Sequence, residues 1–354
     1  MTKRVSVGGV PIGGGVPIVV QSMTNTNTAD AAATIAQIRR LETVGCEIVR
    51  VAVPDFAAAE ALPEIKRSIS IPLVADIHFD YRLALASIEA GVDKLRLNPG
   101  NITDPARIGE VAEAAQKAGI PIRVGANSGS LAKEYLDAHG RATAPGMVES
   151  ALNEIRLLER HDVKDIVVSL KATDVRMTVD AYRAVATEID YPLHIGITEA
   201  GTAWEGAIRS AVGLGILLAE GIGDTIRVSL AGDPTAEVGA AYEILRSLGL
   251  RQRGVDLHVC PTCGRTGIDL ARIADEVRRS LSDVVEPVKV ALMGCAVNGL
   301  GEVKDADVGI VGSRGQGTVY VSGEPTATAV PEDRLVGEVV AAVRAFVEQR
   351  RTRG

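Results

Sequence analysis

The sequence predicts an α/β protein built from a (β/α)8 barrel, the TIM barrel, followed by a smaller α+β domain. Its 354 residues exceed the size of one ordinary domain. The 46% hydrophobic content includes only 3% aromatic residues and accompanies 37 glycines, which is typical of α/β enzymes whose strands are buried on both faces. The third observation is a strand–loop–helix unit that recurs from residue 16 to about residue 250.

Eight such units are predicted within residues 1–250, the barrel domain. Each begins with a short run of β-branched residues and continues through a polar loop into a helix with apolar residues at three- and four-residue spacing. Their number and combined length of about 230 residues match a (β/α)8 barrel, and a doubly wound sheet is the alternative architecture. The predicted strands span residues 17–22, 47–53, 73–78, 94–97, 121–125, 166–171, 193–198 and 225–230.

Local patterns predict further elements of this domain. Residues 1–15 predict a small hairpin that closes the bottom of the barrel, with Gly8 and Gly9 in its turn. Helical spacing of apolar residues predicts helices over residues 34–41 and 147–158, among those that follow the strands.

The repeat ends at residues 248–254, a basic connector that contains glycine, and the predicted domain boundary falls there. Residues 254–354 then predict a small α+β domain of ordinary size. Its predicted elements are a loop holding Cys260 and Cys263, a helix with Leu270, Ile273, Val277 and Leu281 on one face, a strand at 288–293, a loop around Cys295, strands near 308–311 and 318–321 joined by residues 315–317, and a helix from about 332 to 349.

The charge balance and the cysteine content limit the class of protein. A net charge of -7 argues against a nucleic-acid-binding protein, which carries a basic surface. Glycines and a proline interrupt the N-terminal segment, so no secretion signal is expected. The apolar stretch 211–219 is too short to span a bilayer. Four cysteines that include a CxxC pair indicate a reducing cytoplasm and a metal site.

Charged and polar residues stand at or just beyond the ends of the predicted barrel strands. In TIM barrels these strand ends carry the active site, and an unpaired cation avoids the apolar layer because its burial costs several kcal/mol. The cations at these positions, Arg50, Arg96, Arg123, Arg227 and Lys171, are therefore expected to converge at the barrel mouth as a binding site for an anion, especially phosphate. The alternative is that some of them pair with Asp76, Glu47 or Glu199. The strand-end residues are Arg50, Asp76, His78, Arg96, Asn98, Arg123, Asn127, Lys171, Glu199, Arg227 and Ser229.

Other titratable residues on these strands have less specific interpretations. His78 and His194 are each either catalytic residues or ordinary core and loop residues. Asp76 and Glu199 are candidates for proton transfer or for orienting the cations. Cys46 opens the second strand in an apolar context and is predicted to be a buried core residue.

Three cysteines of the second domain form a candidate metal site. Cys260 and Cys263 form the CxxC pair, Cys295 follows the next predicted strand, and three thiolates suit three irons of an iron–sulfur cubane. A zinc site that adds His258 is the competing interpretation. The spacing favours iron–sulfur, because a glycine-rich loop over residues 298–302 is expected to bring the Glu302 carboxylate back to the site.

Two sets of motifs run in order along the chain. The second domain carries Cys260-Pro-Thr-Cys-Gly-Arg265 and Gly294-Cys-Ala-Val-Asn-Gly-Leu-Gly-Glu302. The barrel carries Gln21-Ser-Met-Thr-Asn25, Val49-Arg-Val-Ala-Val-Pro54, Ala75-Asp-Ile-His78, Leu95-Arg-Leu-Asn-Pro-Gly-Asn101, Arg123-Val-Gly-Ala-Asn-Ser-Gly129, Ser169-Leu-Lys-Ala172, Gly196-Ile-Thr-Glu-Ala-Gly201 and Arg227-Val-Ser-Leu230. Over essentially the full chain, the sequence resembles the 4-hydroxy-3-methylbut-2-enyl diphosphate synthase family in its short bacterial two-domain form.

The resemblance implies a cofactor, a substrate and residues for each. The implied cofactor is a 4Fe-4S cluster held by Cys260, Cys263, Cys295 and Glu302. The implied substrate is the cyclic diphosphate 2-C-methyl-D-erythritol 2,4-cyclodiphosphate. The residues implied to bind it are Arg50, Arg96, Arg123, Asn127, Lys171, Arg227 and Ser229, with Asn298 beside the cluster.

The implied reaction is a two-electron reductive ring opening and dehydroxylation that gives 4-hydroxy-3-methylbut-2-enyl diphosphate in isoprenoid biosynthesis by the methylerythritol phosphate route. Such an oxidoreductase takes its electrons from flavodoxin or ferredoxin. Glu302 is the expected exchangeable ligand, because a hard carboxylate beside three soft thiolates is readily displaced by a substrate oxygen. Asp76, His78 and Glu199 are the candidates for proton supply.

The resemblance further implies a homodimer in which the cluster domain of one subunit caps the barrel of the other. The expected protein is cytoplasmic and has no membrane or nucleic-acid partner. Two functions of other classes are the alternatives. One is a zinc-dependent barrel hydrolase of a phosphorylated metabolite, and the other is a non-catalytic iron–sulfur sensor.

Overall fold

The computed structural model describes residues 1–78, 80–97 and 105–353. The chain forms two compact units, Met1–Arg251 and Gln252–Gly354. The predicted strand-end residue Asn98 lies outside the described residues, together with the rest of its motif up to residue 101. In the part of the chain that is described, no helix has both the length and the apolar character needed to cross a membrane.

The first unit begins with a hairpin of strands β1 (Val5–Val7) and β2 (Val10–Ile12). Its turn residues Gly8 and Gly9 have φ angles of 53° and 90°, in the left-handed region that two-residue hairpin turns require and glycine adopts freely. The hairpin contributes to an apolar cluster of Val7, Ile12, Val19, Ile48 and Val74. This cluster forms the floor of the barrel, as the sequence predicts.

Eight parallel strands form the barrel itself. They are β3 (Val19–Met23), β4 (Ile48–Ala52), β5 (Leu73–Asp76), β6 (Lys94–Arg96), β7 (Ile122–Val124), β8 (Ile166–Val168), β9 (His194–Ile195) and β10 (Thr225–Ile226). Each pairs in parallel with its neighbours from β3 to β8, and β10 pairs with both β3 and β9. A parallel bridge between Val168 and Leu193 closes the ring. The predicted barrel is confirmed, and the doubly wound alternative is wrong.

Helices follow the strands and cover the outside of the barrel. They are α1 (Ala31–Thr43), α2 (Phe56–Ser68), α3 (Tyr81–Glu89), α4 (Pro105–Ala118), α5 (Ala144–Glu159), α6 (Val175–Glu188), α7 (Ala203–Ala219) and α8 (Thr235–Ser247). Several begin at an aspartate whose side chain accepts a backbone N–H of the first turn, for example Asp30 and Asp174. The predicted helices 34–41 and 147–158 lie within α1 and α5.

Alternation along the strands separates the apolar layer from the interior of the barrel. Val49 and Val51 belong to the large core between strands and helices, whereas Ile48 belongs to the floor. Successive side chains of a strand point to opposite faces, so Arg50 lies on the same side as Ile48, inside the barrel. Several strands are shorter at their carboxyl ends than predicted, although single ladder bonds continue beyond them, such as the one from the Lys171 N–H to the Ala126 carbonyl over 2.9 Å.

The second unit is a five-stranded sheet with three helices. The strands are β11 (Val255–Val259), β12 (Val288–Met293), β13 (Val308–Ser313), β14 (Gln316–Val321) and β15 (Glu324–Pro331), and the helices are α9 (Leu270–Ser280), α10 (Ala296–Glu302) and α11 (Glu332–Arg353). Strands β11 to β13 run parallel, and β13 to β15 are antiparallel. The predicted α+β class is confirmed.

Three local predictions for this unit are wrong. Strands β11 and β15 were not expected, because edge strands with polar residues lack the apolar runs on which strand prediction depends. The turn between β13 and β14 is formed by Arg314 and Gly315, and residues 316–317 already belong to β14. Residues 298–302 are helical, because Gly299 lets α10 pack closely against Met293 and Val311.

Candidate active site

Four of the predicted strand-end cations lie buried inside the barrel. Arg50, Arg96, Arg123 and Lys171 are each less than a tenth exposed. Register brings them to neighbouring positions, since Arg96 on β6 pairs with Arg123 on β7. Lys171 lies beyond β8 and forms a parallel bridge with Asn127, which follows β7. These side chains therefore concentrate positive charge in a space with little water.

Asp76 is the carboxylate at the centre of this cationic group. Arg96 Nη1 lies 3.1 Å from its Oδ1, Arg50 Nε lies 3.5 Å from its Oδ2, and His78 Nε2 lies 3.6 Å from Oδ1. Burial acts to raise the pKa of Asp76, but Arg50, a hydrogen bond with His78 and Arg96 together hold this pKa well below its usual range. Asp76 is thus a fixed anion that orients two arginines, and it is poorly suited to donate a proton near neutral pH.

Arg227 pairs with Glu237, a partner that the sequence analysis did not identify. Arg227 Nη2 donates to Glu237 Oε1 over 3.1 Å, and the Ser22 hydroxyl donates to Oε2 over 2.8 Å. Glu237 lies in the first turn of α8 and is almost completely buried. A buried acid on an otherwise apolar helix face is the sequence signal that would have indicated this contact.

The other two predicted partners, Glu47 and Glu199, bind elsewhere. Glu47 accepts a hydrogen bond of 2.6 Å from Arg251, and Glu199 accepts one of 2.9 Å from the Thr173 hydroxyl. Among the described residues, neither pairs with a cation of the barrel mouth, so the alternative of ion pairing holds for Asp76 and not for these two glutamates. Glu199 is exposed and has a φ of 51°, a strained left-handed conformation for a residue with a side chain.

Several buried nitrogen atoms in the barrel have no hydrogen-bond partner among the described residues. They include Nε and Nη1 of Arg123 and Nζ of Lys94. Burial, followed by the charges of Arg123 and Arg50, lowers the pKa of Lys171 well below its ordinary value. Buried donors without partners are costly. An anion with several oxygen atoms would satisfy them and would offset the excess positive charge.

Gly196 contributes space to this site. A Cβ atom at this position would lie 3.1 Å from Lys171 Nζ and 2.7 Å from the Arg227 carbonyl oxygen. A side chain here would therefore displace the lysine ammonium group. Neither Gly196 nor Lys94 was singled out as a site residue from the sequence, although Lys94 precedes Arg96 by two positions and so shares its face of β6.

The remaining predicted barrel residues lie at different depths. The side chain of His78 is 51% exposed, and its Nε2 lies 3.2 Å from Arg96 Nη1. Ser229 is partly exposed in the segment after β10. His194 is fully buried, and neither ring nitrogen has a partner in the described chain. Burial and the charges of Lys171, Arg123 and other cations lower its pKa well below the ordinary value, so its imidazole is neutral.

Two of the three cysteines in the second unit leave neighbouring strands at the same edge of the sheet. Val259 pairs with Leu292 in parallel register, and the Cys260 N–H donates to the Leu292 carbonyl over 3.0 Å. Cys295 follows β12 after a single glycine, Gly294, and precedes α10. Cys263 is exposed in the loop after β11, and a hydrogen bond from the Arg265 backbone lowers the pKa of its thiol. The thiols of Cys260 and Cys295, which are soft metal donors, thus lie at the same edge of the sheet.

Glu302 and Asn298 lie on α10 and not on a loop. Glu302 is the last residue of the seven-residue helix that begins after Cys295, and that length corresponds to roughly 10 Å at 1.5 Å per residue. Asn298 is exposed within the helix. Across residues 1–78, 80–97 and 105–353, no group of three or more His, Cys, Asp or Glu side chains is gathered to hold a metal ion.

His258 and Cys46 complete the account of the possible metal donors. His258, the residue that a zinc site would add, has its Nε2 3.0 Å from Asp256 Oδ2. Cys46 is buried, as predicted, and burial raises the pKa of its thiol to about 12. The thiolate form needed for metal binding is therefore strongly disfavoured at Cys46.

Both units match models of one protein family. Residues 2–242 match the GcpE TIM-barrel domain, and residues 256–345 match the GcpE protein C-terminal domain. The chain is 55% identical over 349 residues to the 4-hydroxy-3-methylbut-2-en-1-yl diphosphate synthase (flavodoxin) of Geobacter sulfurreducens, with 99% of each chain covered. It is 54% identical to the enzyme of the same name from Geobacillus kaustophilus, covering 98% of this chain and 93% of that one.

Solved structures share the barrel fold at low sequence identity. The chain resembles a dihydropteroate synthase from Stenotrophomonas maltophilia with a TM-score of 0.53 and 14% identity, over 70% of this chain and 98% of the other. A dihydropteroate synthase from Yersinia pestis gives a TM-score of 0.51 at 12% identity, over 70% of this chain and 100% of the other. These similarities concern the fold alone.

Proposed function

Because the chain belongs to the GcpE family, we propose that it catalyses the reductive ring opening and dehydroxylation of 2-C-methyl-D-erythritol 2,4-cyclodiphosphate to 4-hydroxy-3-methylbut-2-enyl diphosphate. This is a step of isoprenoid biosynthesis by the methylerythritol phosphate route. The observation that carries the proposal is the group of buried cations in the barrel, whose charge exceeds that of the single carboxylate of Asp76 at its centre. A cyclic diphosphate supplies the missing negative charge and many acceptor oxygens.

The proposed reaction balances with two electrons and one proton. One C–O bond to phosphate and one C–O bond to a hydroxyl group break, and each departing oxygen keeps its bonding electrons. The two electrons supplied from outside form the new carbon–carbon double bond. One proton converts the departing hydroxide into water.

The barrel residues stabilise the diphosphate as its ring opens. Arg50, Arg96, Arg123 and Lys171 surround the proposed diphosphate position, with Asn127, Arg227 and Ser229 as additional hydrogen-bond donors. Fixed cations in a water-poor site are effective at stabilising charge that develops on a leaving oxygen. Asp76 keeps Arg50 and Arg96 in position. His78 and Glu199 are exposed at the strand ends and are the candidates to deliver the proton.

Cys260, Cys263 and Cys295 would hold three irons of a 4Fe-4S cluster, which would supply the electrons one at a time. Their soft thiolate donors at one sheet edge fit such a group. The proposed fourth ligand is Glu302, the last residue of α10, which begins directly after Cys295.

The proposed electron donor is flavodoxin, which is part of the names of the similar enzymes, and ferredoxin is the other candidate. The proposed quaternary state is a homodimer in which each cluster domain caps the partner's barrel. Exposed apolar side chains support an interface with another chain. Trp204 is 74% exposed and begins a stripe on one face of α7, spaced every four residues, that continues with Ile208, Val212 and Ile216.

Anaerobic purification followed by an optical spectrum and a turnover assay tests the proposed function. We expect a broad visible charge-transfer absorption, and we expect dithionite to drive conversion of the cyclodiphosphate to the hydroxymethylbutenyl diphosphate. The same reaction without reductant is the control and should give no product. A colourless protein that turns over without reductant would indicate a zinc hydrolase. A coloured protein that neither binds nor converts the cyclodiphosphate would indicate an iron–sulfur sensor.

Mixing two inactive variants tests the proposed capping arrangement. A Cys295→Ser chain keeps an intact barrel, and an Arg123→Met chain keeps intact cluster ligands. If each active site combines a barrel with the partner's cluster domain, a mixed dimer contains one complete site, and an equal mixture should recover about a quarter of the wild-type activity. Each variant alone is the control. Recovery of no activity after verified subunit exchange would contradict the capping arrangement.

A further inference from the structure

The interior of the barrel holds more positive charge than its carboxylate can balance. Arg50, Arg96 and Arg123 are buried and keep their protons, because a guanidinium group does not lose its proton in proteins. Asp76 provides one negative charge among them. Adding a further buried cation to this group would be costly in the absence of an anion. Lysine, unlike arginine, can avoid that cost by losing its proton.

Lys94 lies within this group, beneath the proposed diphosphate position. It is the first residue of β6 and pairs with Val74, a residue of the barrel floor. Its position two residues before Arg96 places it on the interior face of the strand. Lys94 is 0% exposed, and its Nζ has no hydrogen-bond partner among the described residues. It is therefore sealed from water, and the charges of Arg123 and Arg50 act on it.

The charged and titratable groups around Lys94 come from most of the barrel strands. Burial is the largest cause that lowers the pKa of Lys94 well below its ordinary value, and the charges of Arg123 and Arg50 add to it. This direction agrees with a neutral amine in the empty barrel. The groups of the barrel interior are Arg50, Asp76, Arg96, Arg123, Lys171 and His194.

We propose that Lys94 is a proton-accepting group of the diphosphate site, neutral in the empty barrel and converted to an ammonium ion when the cyclic diphosphate binds. The inference rests on the proposed function, because it takes the cyclodiphosphate as the ligand. One proton moves from solvent to Nζ on binding and returns on release, with no change in oxidation state. Lys94 thereby matches the charge of the site to that of its occupant.

Two neighbouring groups are the alternatives for this role. Burial and the same arginines also lower the pKa of Lys171, but Lys171 lies at the barrel mouth beside Asn127 and is retained in Lys94→Met, so this variant tells the two lysines apart. His194 is a weaker base, with an ordinary pKa of about 6.5, and it starts from a value that burial lowers further. It therefore stays neutral in both states. The more basic amine of a lysine regains its proton when a bound anion offsets the positive charge around it.

Calorimetric titration of the oxidised holoenzyme with the cyclodiphosphate, in two buffers of different ionisation enthalpy at pH 8, measures proton uptake directly. Without reductant the ligand is not consumed. Each of its phosphorus atoms carries one ester and one anhydride linkage, which leaves a single strongly acidic oxygen that is ionised at pH 8, so the ligand itself takes up no proton. We expect uptake of about one proton per bound ligand for the wild type. Lys94→Met should bind about tenfold more weakly and lose most of the uptake.

Stability of the empty protein separates this role from a structural one. Lys94→Met removes a buried amine without a partner, so its unfolding temperature should rise by about 2–4 °C. Lys94→Arg fixes the charge, so uptake should again be lost while the unfolding temperature falls. Lys117→Met makes the same chemical change at an exposed lysine of α4 and should leave both quantities unchanged.

The possible failures can be told apart. Wild-type protein that does not bind the cyclodiphosphate would contradict the proposed function. Binding without proton uptake by the wild type would overturn the inference and leave the function standing. Full uptake by Lys94→Met, or uptake lost in His194→Gln and kept in Lys94→Met, would also overturn it. A Lys94→Met chain that is less stable than the wild type would show that the lysine is a structural residue.

Discussion

Replacing Arg123 with methionine is expected to stabilise the empty protein while removing most of its affinity for the cyclic diphosphate. Arg123 is 2% exposed, and its Nε and Nη1 have no partner in the described chain. Each unsatisfied buried donor costs about 1–3 kcal/mol, so an apolar side chain of similar length should raise the free energy of unfolding by about that amount. Loss of charge-assisted contacts to phosphate should weaken binding at least about 100-fold.

Thermal unfolding and calorimetric titration with the cyclodiphosphate measure the two effects on the same preparation. Arg156→Met is the matched control, because Arg156 is exposed in the last turn of α5. It should change neither quantity appreciably. A less stable Arg123→Met protein that still binds the cyclodiphosphate would show that Arg123 serves the fold and not the ligand.

Replacing Cys295 with serine is expected to remove the cluster and to reduce reductive turnover at least about 1,000-fold, because a serine hydroxyl is a hard donor in a site that needs a soft one. The barrel is a separate compact unit, so binding of the cyclodiphosphate should remain. Iron content, the visible spectrum and calorimetric titration measure these outcomes separately.

The matched control for this cysteine is Cys46→Ser. Cys46 is buried in the barrel unit, and its thiol donates to the Ile48 carbonyl over 3.2 Å. This variant should keep its iron and its colour, with only a loss of stability. If Cys295→Ser instead keeps a full complement of iron and its visible absorption, the proposed ligand set is wrong.

The barrel was predictable because its strands and helices carry separate local signals. The run from Ile48 to Ala52 is rich in β-branched residues and is buried on both sides. The arginine within it must point into the barrel, because burying its charge in the apolar layer between strands and helices would be costly. The hairpin turn was predictable because Gly8 and Gly9 both adopt left-handed backbone conformations. In these elements, local propensity and tertiary structure agree.

The missed elements are those in which tertiary contacts override local pattern. Helix α10 contains Gly299 and Gly301, and a sequence reading therefore favours a loop there. Close packing of Gly299 against the sheet stabilises the helix instead. Strand β15 carries polar residues because it pairs on one side only. No residue in either segment signals these contacts by itself.

The candidate site also has features that the sequence predicts and features that depend on tertiary structure. The burial of positive charge inside the barrel followed from the positions of the arginines and the lysine on apolar strands. Their ion-pair partners depended on the register of the strands and on closure of the barrel. Asp76 reaches Arg96 because β5 and β6 pair at that level. Arg227 reaches Glu237 only through α8, ten residues further along the chain. The burial of Lys94 near Arg123 and Arg50 likewise results from closure of the strands into a ring.

The floor formed by the N-terminal hairpin has a kinetic consequence. Val7 and Ile12 fill the lower end of the barrel together with three barrel side chains. A ligand of the buried cations is therefore expected to arrive and to leave on the same side, at the carboxyl ends of the strands. Entry and release would then share one path, so we expect product release to limit binding of the next substrate molecule.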